Sequence, residues 1–157
     1  MPLTTKGIAI QVLASLRARR EYPEHCTVND CKVVVNHLIR KFSEPLGRAG
    51  EAQVKMSAAV RAGANGNTVR DHAVPVIVLL EELLKLEDAR LEISDDNIKH
   101  VEDFLRLSLY VVEITDDEDR RLSEHGYQRK MPVSWSTLGH AWYGDPLARY
   151  KECGIEI

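Results

Sequence analysis

The chain has 157 residues, enough for one domain-sized core that buries roughly 70% of the surface exposed on unfolding. Its 44% apolar and 29% charged residues exclude wholesale disorder, and no apolar run approaches the roughly 20 residues that a bilayer-spanning helix requires. The net charge of -3 hides a division: residues 1–70 carry 11 Lys+Arg against 5 Asp+Glu, whereas 71–157 carry 10 against 19, so a basic half would attract polyanions and an acidic half basic protein surfaces.

Thr4 or Thr5 opens the first predicted helix, since either hydroxyl can accept from the free N–H groups of a first turn. Ile8, Val12 and Leu16 recur at helical spacing, with Ile10 and Leu13 beside them. Arg17, Arg19 and Arg20 then place cations at the negative end of the helix dipole before Pro23. No basic segment precedes the apolar residues, so this start reads as an amphipathic helix rather than a leader. Thr27, with Asp30 three residues on, predicts an approximate capping box. The second helix that it opens is striped by Val28, Cys31, Val35, Leu38, Ile39 and Phe42, and Pro45 and Gly47 are expected to stop it. A third, Ala-rich helix is expected over 50–62. The Gly/Asn-rich stretch 63–67 is the strongest loop signal in the chain. It lies close to where the charge balance changes sign, which suggests a subdomain division there.

The apolar run 74–86 reads as a buried central helix, because Pro75 is tolerated in a first helical turn and poorly in a central strand. Ser94 caps a fifth helix whose apolar face is Ile98, Val101, Phe104, Leu105 and Leu109. Residues 110–115 form the one convincing strand. Thr115 and Glu118 then form a capping box for a short acidic helix ending before Gly126. The remainder, 127–157, is expected to wrap irregularly, with one short helix near 146–150. The expected fold class is mainly α, that is, α+β with minor strand content. It is a single compact domain over 1–157 of about five to seven helices with a short strand near 110–115.

Asp71-His72-Ala73-Val74-Pro75 resembles the Asp-His-x-x-Pro core of the HNH nucleases. The resemblance implies that Asp71 binds a divalent metal and that His72 acts as general base on the attacking water. It covers five residues. The Asn and last His of that family have candidates in Asn97, His100 and His125, none at the family's spacing, and an apolar helical run follows Pro75 directly. The competing reading makes Asp71 a helix cap, with Pro75 in the first turn and His72 incidental.

His25, Cys26, Cys31 and His37 offer zinc-type donors within thirteen residues. Cys31 and His37, however, fall on different faces of the second helix, and Cys31 belongs to its apolar stripe. No metal or other cofactor is therefore expected. Three cysteines without framework spacing read as reduced thiols in a cytoplasmic protein. No nucleophile elbow and no phosphate-binding glycine loop is present, so the reading leans away from an enzyme.

Two groups of residues are candidates for binding. Arg17, Arg19, Arg20, Arg40, Lys41 and Arg48 gather at the ends of the first two helices as a partner-binding set. No aromatic is interleaved with them, which suits phosphate contact but not base readout. Trp135, Trp142 and Tyr143 concentrate in the C-terminal stretch, where they either lock it to the core or anchor an interface. With Asp71–Pro75 and Ile114-Thr115-Asp116-Asp117-Glu118, this stretch is similar to small uncharacterised proteins of bacteria, phages and mobile elements.

The function expected is that of a non-catalytic interaction protein of bacterial or phage type. It would dock by charged faces on a protein or nucleoprotein partner, with inhibition of host defence as one such role. Direct nucleic-acid contact through the basic half and homodimerisation stay open, and no membrane partner is expected. Two alternatives stand beside it. One is a divergent HNH-like metal-dependent endonuclease using Asp71 and His72. The other is a structural or oligomerising protein that buries 74–86 between copies.

Overall fold

A computed structural model describes residues 2–49 and 54–157. In chain order the elements are α1 (Thr5–Glu21), α2 (Val28–Arg48), β1 (Val54–Met56), α3 (Ala58–Arg61), β2 (Thr68–His72), α4 (Val76–Leu84), a 3-10 turn (Asp88–Arg90), α5 (Asp95–Ser108), β3 (Val111–Thr115), α6 (Asp116–Glu124), α7 (Val133–Ser136) and α8 (Ala148–Glu152). The architecture is α+β and mainly helical, as the sequence implies. Among the described residues there are eight α-helices and a three-stranded sheet, against the five to seven helices and one strand expected. No helix among these residues is long and apolar enough to cross a membrane.

The chain divides into two compact units, one of Met1–Ala52 with Leu79–Leu107 and the other of Gln53–Val78 with Ser108–Ile157. The division regroups the charge. The first unit holds 12 Lys+Arg and 14 Asp+Glu, the second 9 and 10, so the units carry -2 and -1. The basic and acidic halves of the sequence therefore do not become a basic and an acidic unit. The 63–67 loop joins α3 to β2 inside the second unit.

In the first unit α1 packs on α2. The Thr4 hydroxyl accepts from the Gly7 N–H at 3.0 Å, and Ile8, Ala9, Val12, Leu13 and Leu16 are buried. Thr27 and Asp30 form the expected capping box of α2, which buries Cys31, Val35, Ile39, Phe42 and Leu46. Contrary to expectation, Pro45 does not end this helix, which runs on to Arg48. A proline ring fixes φ in the helical range and deletes a single N–H. So near the C-terminus, burial of Leu46 one turn beyond Phe42 offsets that loss. The final turn closes with the Ala49 N–H on the Pro45 carbonyl at 3.1 Å. In α5, Ser94 Oγ accepts from the Asn97 N–H at 3.3 Å, and the buried Asn97 amide donates to the Ala89 and Glu92 carbonyls at 3.0 and 2.9 Å. The apolar run that opens at Val74 is helical as expected. Pro75 directly precedes α4, and its carbonyl accepts from Val78 at 2.9 Å.

The sheet of the second unit has the order β1-β3-β2. The predicted strand, β3, is the central one. Val112 and Ile114 are fully buried on one face, the alternation that a covered strand produces. β1 pairs with it in parallel, Val54 opposite Val111, and β2 pairs antiparallel, Asp71 opposite Val112. β1 lies inside the span read as an Ala-rich helix. Residues 50–53 of that span fall outside the described residues, 54–56 are strand, and only Ala58–Arg61 is helical. Ser57 makes the break. Its N–H extends the ladder to the Glu113 carbonyl at 3.0 Å, and its hydroxyl caps α3 through the Val60 N–H at 3.2 Å.

Thr115 and Glu118 cap α6 as expected. α6 and α8 both end in the two-bond turn that needs a left-handed residue, supplied by Gly126 and Gly154, each with φ near +70°. The residues that follow, Tyr127 and Ile155, turn back onto a core of Ala73, Val112, Ile114, Leu122, Tyr150 and Cys153.

Candidate functional site

Asp71 sits in β2, paired with Val112, and is not a helix cap. Its Oδ2 accepts from the Tyr150 hydroxyl at 2.6 Å and forms an ion pair with Arg149. Arg149 is only 1% exposed. Its Nε donates to the Ala73 carbonyl and its Nη1 to the Tyr127 carbonyl, both at 2.8 Å. Its Nη2 reaches the His72 carbonyl and Asp71. A planar guanidinium with five fixed donors suits such a set, where a carboxylate and three main-chain oxygens surround one cation. Burial, and next the negative charge of Asp71, hold the Tyr150 phenol far above its ordinary range, so it remains a donor. The motif that resembles a nuclease core is thus built into a staple joining the end of β2 to α8.

The remaining candidates for that chemistry are placed elsewhere. Asn97 is buried in its capping role, His100 stands on the exposed side of α5, and His125 Nδ1 meets the Arg121 carbonyl at 2.8 Å. Among the described residues no three His, Cys, Asp or Glu side chains come together as a metal site. His25, Cys26, Cys31 and His37 are therefore not gathered, and Cys31 is buried with its sulfur 3.7 Å from Ser15 Oγ.

Asp119 is the titratable side chain of α6 that responds to Asp71. Burial raises its pKa first and the charge of Asp71 second, against a lowering by Arg149. A carboxyl that holds its proton more tightly when folded stabilises the fold below the unfolded carboxylate range, near pH 4. That stability is lost as pH rises through the raised folded value. Asp119→Asn is accordingly expected to raise the thermal midpoint at pH 7 and to give no gain near pH 3. A difference that does not grow between those pH values in parallel melts would contradict this.

The basic residues of the first two helices are largely committed within the first unit. Arg17 pairs with Glu21 at 2.7 Å and Glu92 at 3.4 Å, and Arg20 pairs with Glu92 at 3.4 Å and donates to the Asp88 carbonyl at 2.9 Å. Arg40 donates to Asn36 at 2.9 Å, Lys41 to Glu44 at 2.6 Å and Arg48 to the Leu3 carbonyl at 2.9 Å. Arg19 Nε is buried with no partner among the described residues. Neighbouring carboxylates thus cut the positive field expected of this cluster at Arg17, Arg20 and Lys41.

The C-terminal aromatic stretch has a different character. Pro132 leads into the one-turn α7, and the extended Thr137 ends it. The chain then closes on itself. His140 N–H donates to the Thr137 carbonyl at 3.0 Å, Trp142 N–H to His140 Nδ1 at 3.1 Å, and Gly144 N–H to the Trp135 carbonyl at 2.9 Å. The Trp142 ring stands edge-on to His140, with centroids 5.4 Å apart. With its main chain satisfied in this way, the loop leaves Val133, Leu138 and Tyr143 in solvent at 80%, 83% and 54% exposure. Ser134 Oγ and Trp135 Nε1 are buried yet have no hydrogen-bond partner among the described residues.

Of the sequence-derived aromatics, Tyr143 faces solvent, whereas Trp135 and Trp142 are partly buried. Val133 and Leu138 were missed as surface residues, because an irregular segment has no periodicity to separate inward from outward positions. Arg149 was missed as an anchor because its partner Asp71 lies 78 residues away in sequence. No family model, curated protein or solved structure matches this chain.

Proposed function

We propose that this chain is a non-catalytic interaction protein that docks on a protein or nucleoprotein partner through the 133–143 loop. One observation carries the reading: a loop closed by its own hydrogen bonds holds three large apolar side chains in solvent. Such side chains cost hydration free energy where they stand, and apolar exposure held within one short loop suits an interaction surface. The loop also holds tyrosine and tryptophan, residue types that dominate interface energetics. The commitment of Asp71 to Arg149 and Tyr150 supports the non-catalytic side of the proposal. The pairing of Arg17 and Arg20 with acids favours this loop over the basic helix ends.

The test is capture from a lysate of host cells by the immobilised protein. The triple variant Val133→Ser, Leu138→Ser, Tyr143→Ser is expected to lose the captured partner. Its fold should hold, because exposed substitutions shift stability by about 0.5 kcal/mol or less each. Equal capture by the triple variant and loss with Arg17→Ala, Arg20→Ala would return the binding face to the helix ends. Magnesium-dependent DNA cleavage abolished by His72→Ala would overturn the proposal altogether.

A further inference from the structure

We infer that the 133–143 loop takes an acidic, apolar peptide segment of a partner protein; this rests on the docking role proposed above and specifies its chemistry. The first argument is charge. Residues 125–144 contain Arg129, Lys130, His125 and His140 but no Asp or Glu, in a chain with 24 acidic residues. Arg129 and Lys130 are exposed, and neither forms an ion pair among the described residues. Lys130 and Val133 are three Cα–Cα steps apart, so their Cα atoms lie within about 11 Å of each other. The stretch that carries the exposed apolar side chains is thus flanked in sequence by exposed cations and holds no carboxylate, and an acidic partner complements that charge.

The second argument decides between protein and nucleic acid. Two of the three exposed side chains, Val133 and Leu138, are aliphatic and offer no face on which bases stack. The Trp142 ring is already engaged edge-on by His140.

The experiment is selection of a displayed library of random 12-residue peptides on the intact wild-type protein. The Val133→Ser, Leu138→Ser, Tyr143→Ser variant serves for counter-selection. Enriched peptides are expected to combine Asp or Glu with large apolar residues. A synthetic peptide of the enriched sequence should bind wild type with an affinity that falls as salt rises, and Arg129→Glu should weaken it by about tenfold or more at low salt. Enrichment of basic or uncharged peptides, or none beyond the counter-selecting variant, would overturn the inference. So would a 20-nucleotide single strand binding through the same three side chains. If lysate capture still depends on the loop in any of these cases, the docking role stands and only the partner chemistry falls. If the triple variant captures as wild type does, the docking role itself falls.

Discussion

Arg149→Ala is expected to destabilise the protein by about 3–5 kcal/mol, the range seen when one member of a buried ion pair is removed. For a chain of this length that corresponds to a fall of roughly 6–20 °C in thermal midpoint. The change leaves Asp71 without its cation and strips donors from the carbonyls of His72, Ala73 and Tyr127. Each of those oxygens was desolvated against the guanidinium, and unmet buried acceptors are costly. Arg149→Lys should rescue little, because a single ammonium cannot meet four acceptors that surround a planar fork. Asp71→Asn should cost less than Arg149→Ala. The amide oxygen still accepts from Tyr150, and the cation keeps its three carbonyls. Urea unfolding would measure the losses, and hydrogen exchange would localise them to the β2–β3 amides. A loss below about 1 kcal/mol for Arg149→Ala would contradict the staple. The same variants separate the two readings of Asp71. A metal ligand could be changed to Asn with little effect on stability and complete loss of activity. A structural acceptor gives the reverse.

What the sequence disclosed depended on whether the controlling interaction was local. The caps at Thr4, Thr27, Ser94 and Thr115 were legible because a hydroxyl and an N–H three residues away decide them. The stripe of α2 and the alternation of β3 were legible because burial on one side imposes a period. Pro45 misled because a rule about helix interiors was applied to a last turn, where one lost hydrogen bond is outweighed by burial of Leu46. β1 and β2 were hidden for another reason. β1 is three residues long beside an Ala-rich stretch, and the polar Thr-Val-Arg-Asp-His of β2 shows no apolar face. Both are strands because β3 lies between them, and that pairing spans 39 to 57 positions of sequence. Asp71 illustrates the limit most clearly. Its local context supported a cap or a metal ligand, yet its partners are 78 and 79 residues away. The aromatic loop was visible as composition, and only the fold could show that Leu138 points outward while Trp135 is partly buried.

Phe42→Ala is expected to cost about 3–5 kcal/mol, the usual range for deleting a fully buried aromatic ring. Phe42 is 0% exposed on the α2 stripe, in the unit where α1 and α2 pack together. Removing its ring loses transfer free energy and leaves a void that the surrounding side chains fill only in part. The position also tests why α2 continues past its proline. Phe42 and Leu46 are one turn apart on the same buried face, and Pro45 has already removed a main-chain hydrogen bond between them. With the ring gone, packing no longer offsets that deletion. The amides of residues 46–49 should then lose exchange protection before those of the preceding turns do. Phe42→Leu, which keeps most of the volume, should cost less than about 1.5 kcal/mol and leave the last turn protected. Val33→Ala on the solvent side of the same helix, where Val33 is 72% exposed, should stay within about 0.5 kcal/mol. If the last turn kept its protection in Phe42→Ala, the helix would owe its final residues to something other than burial of this stripe.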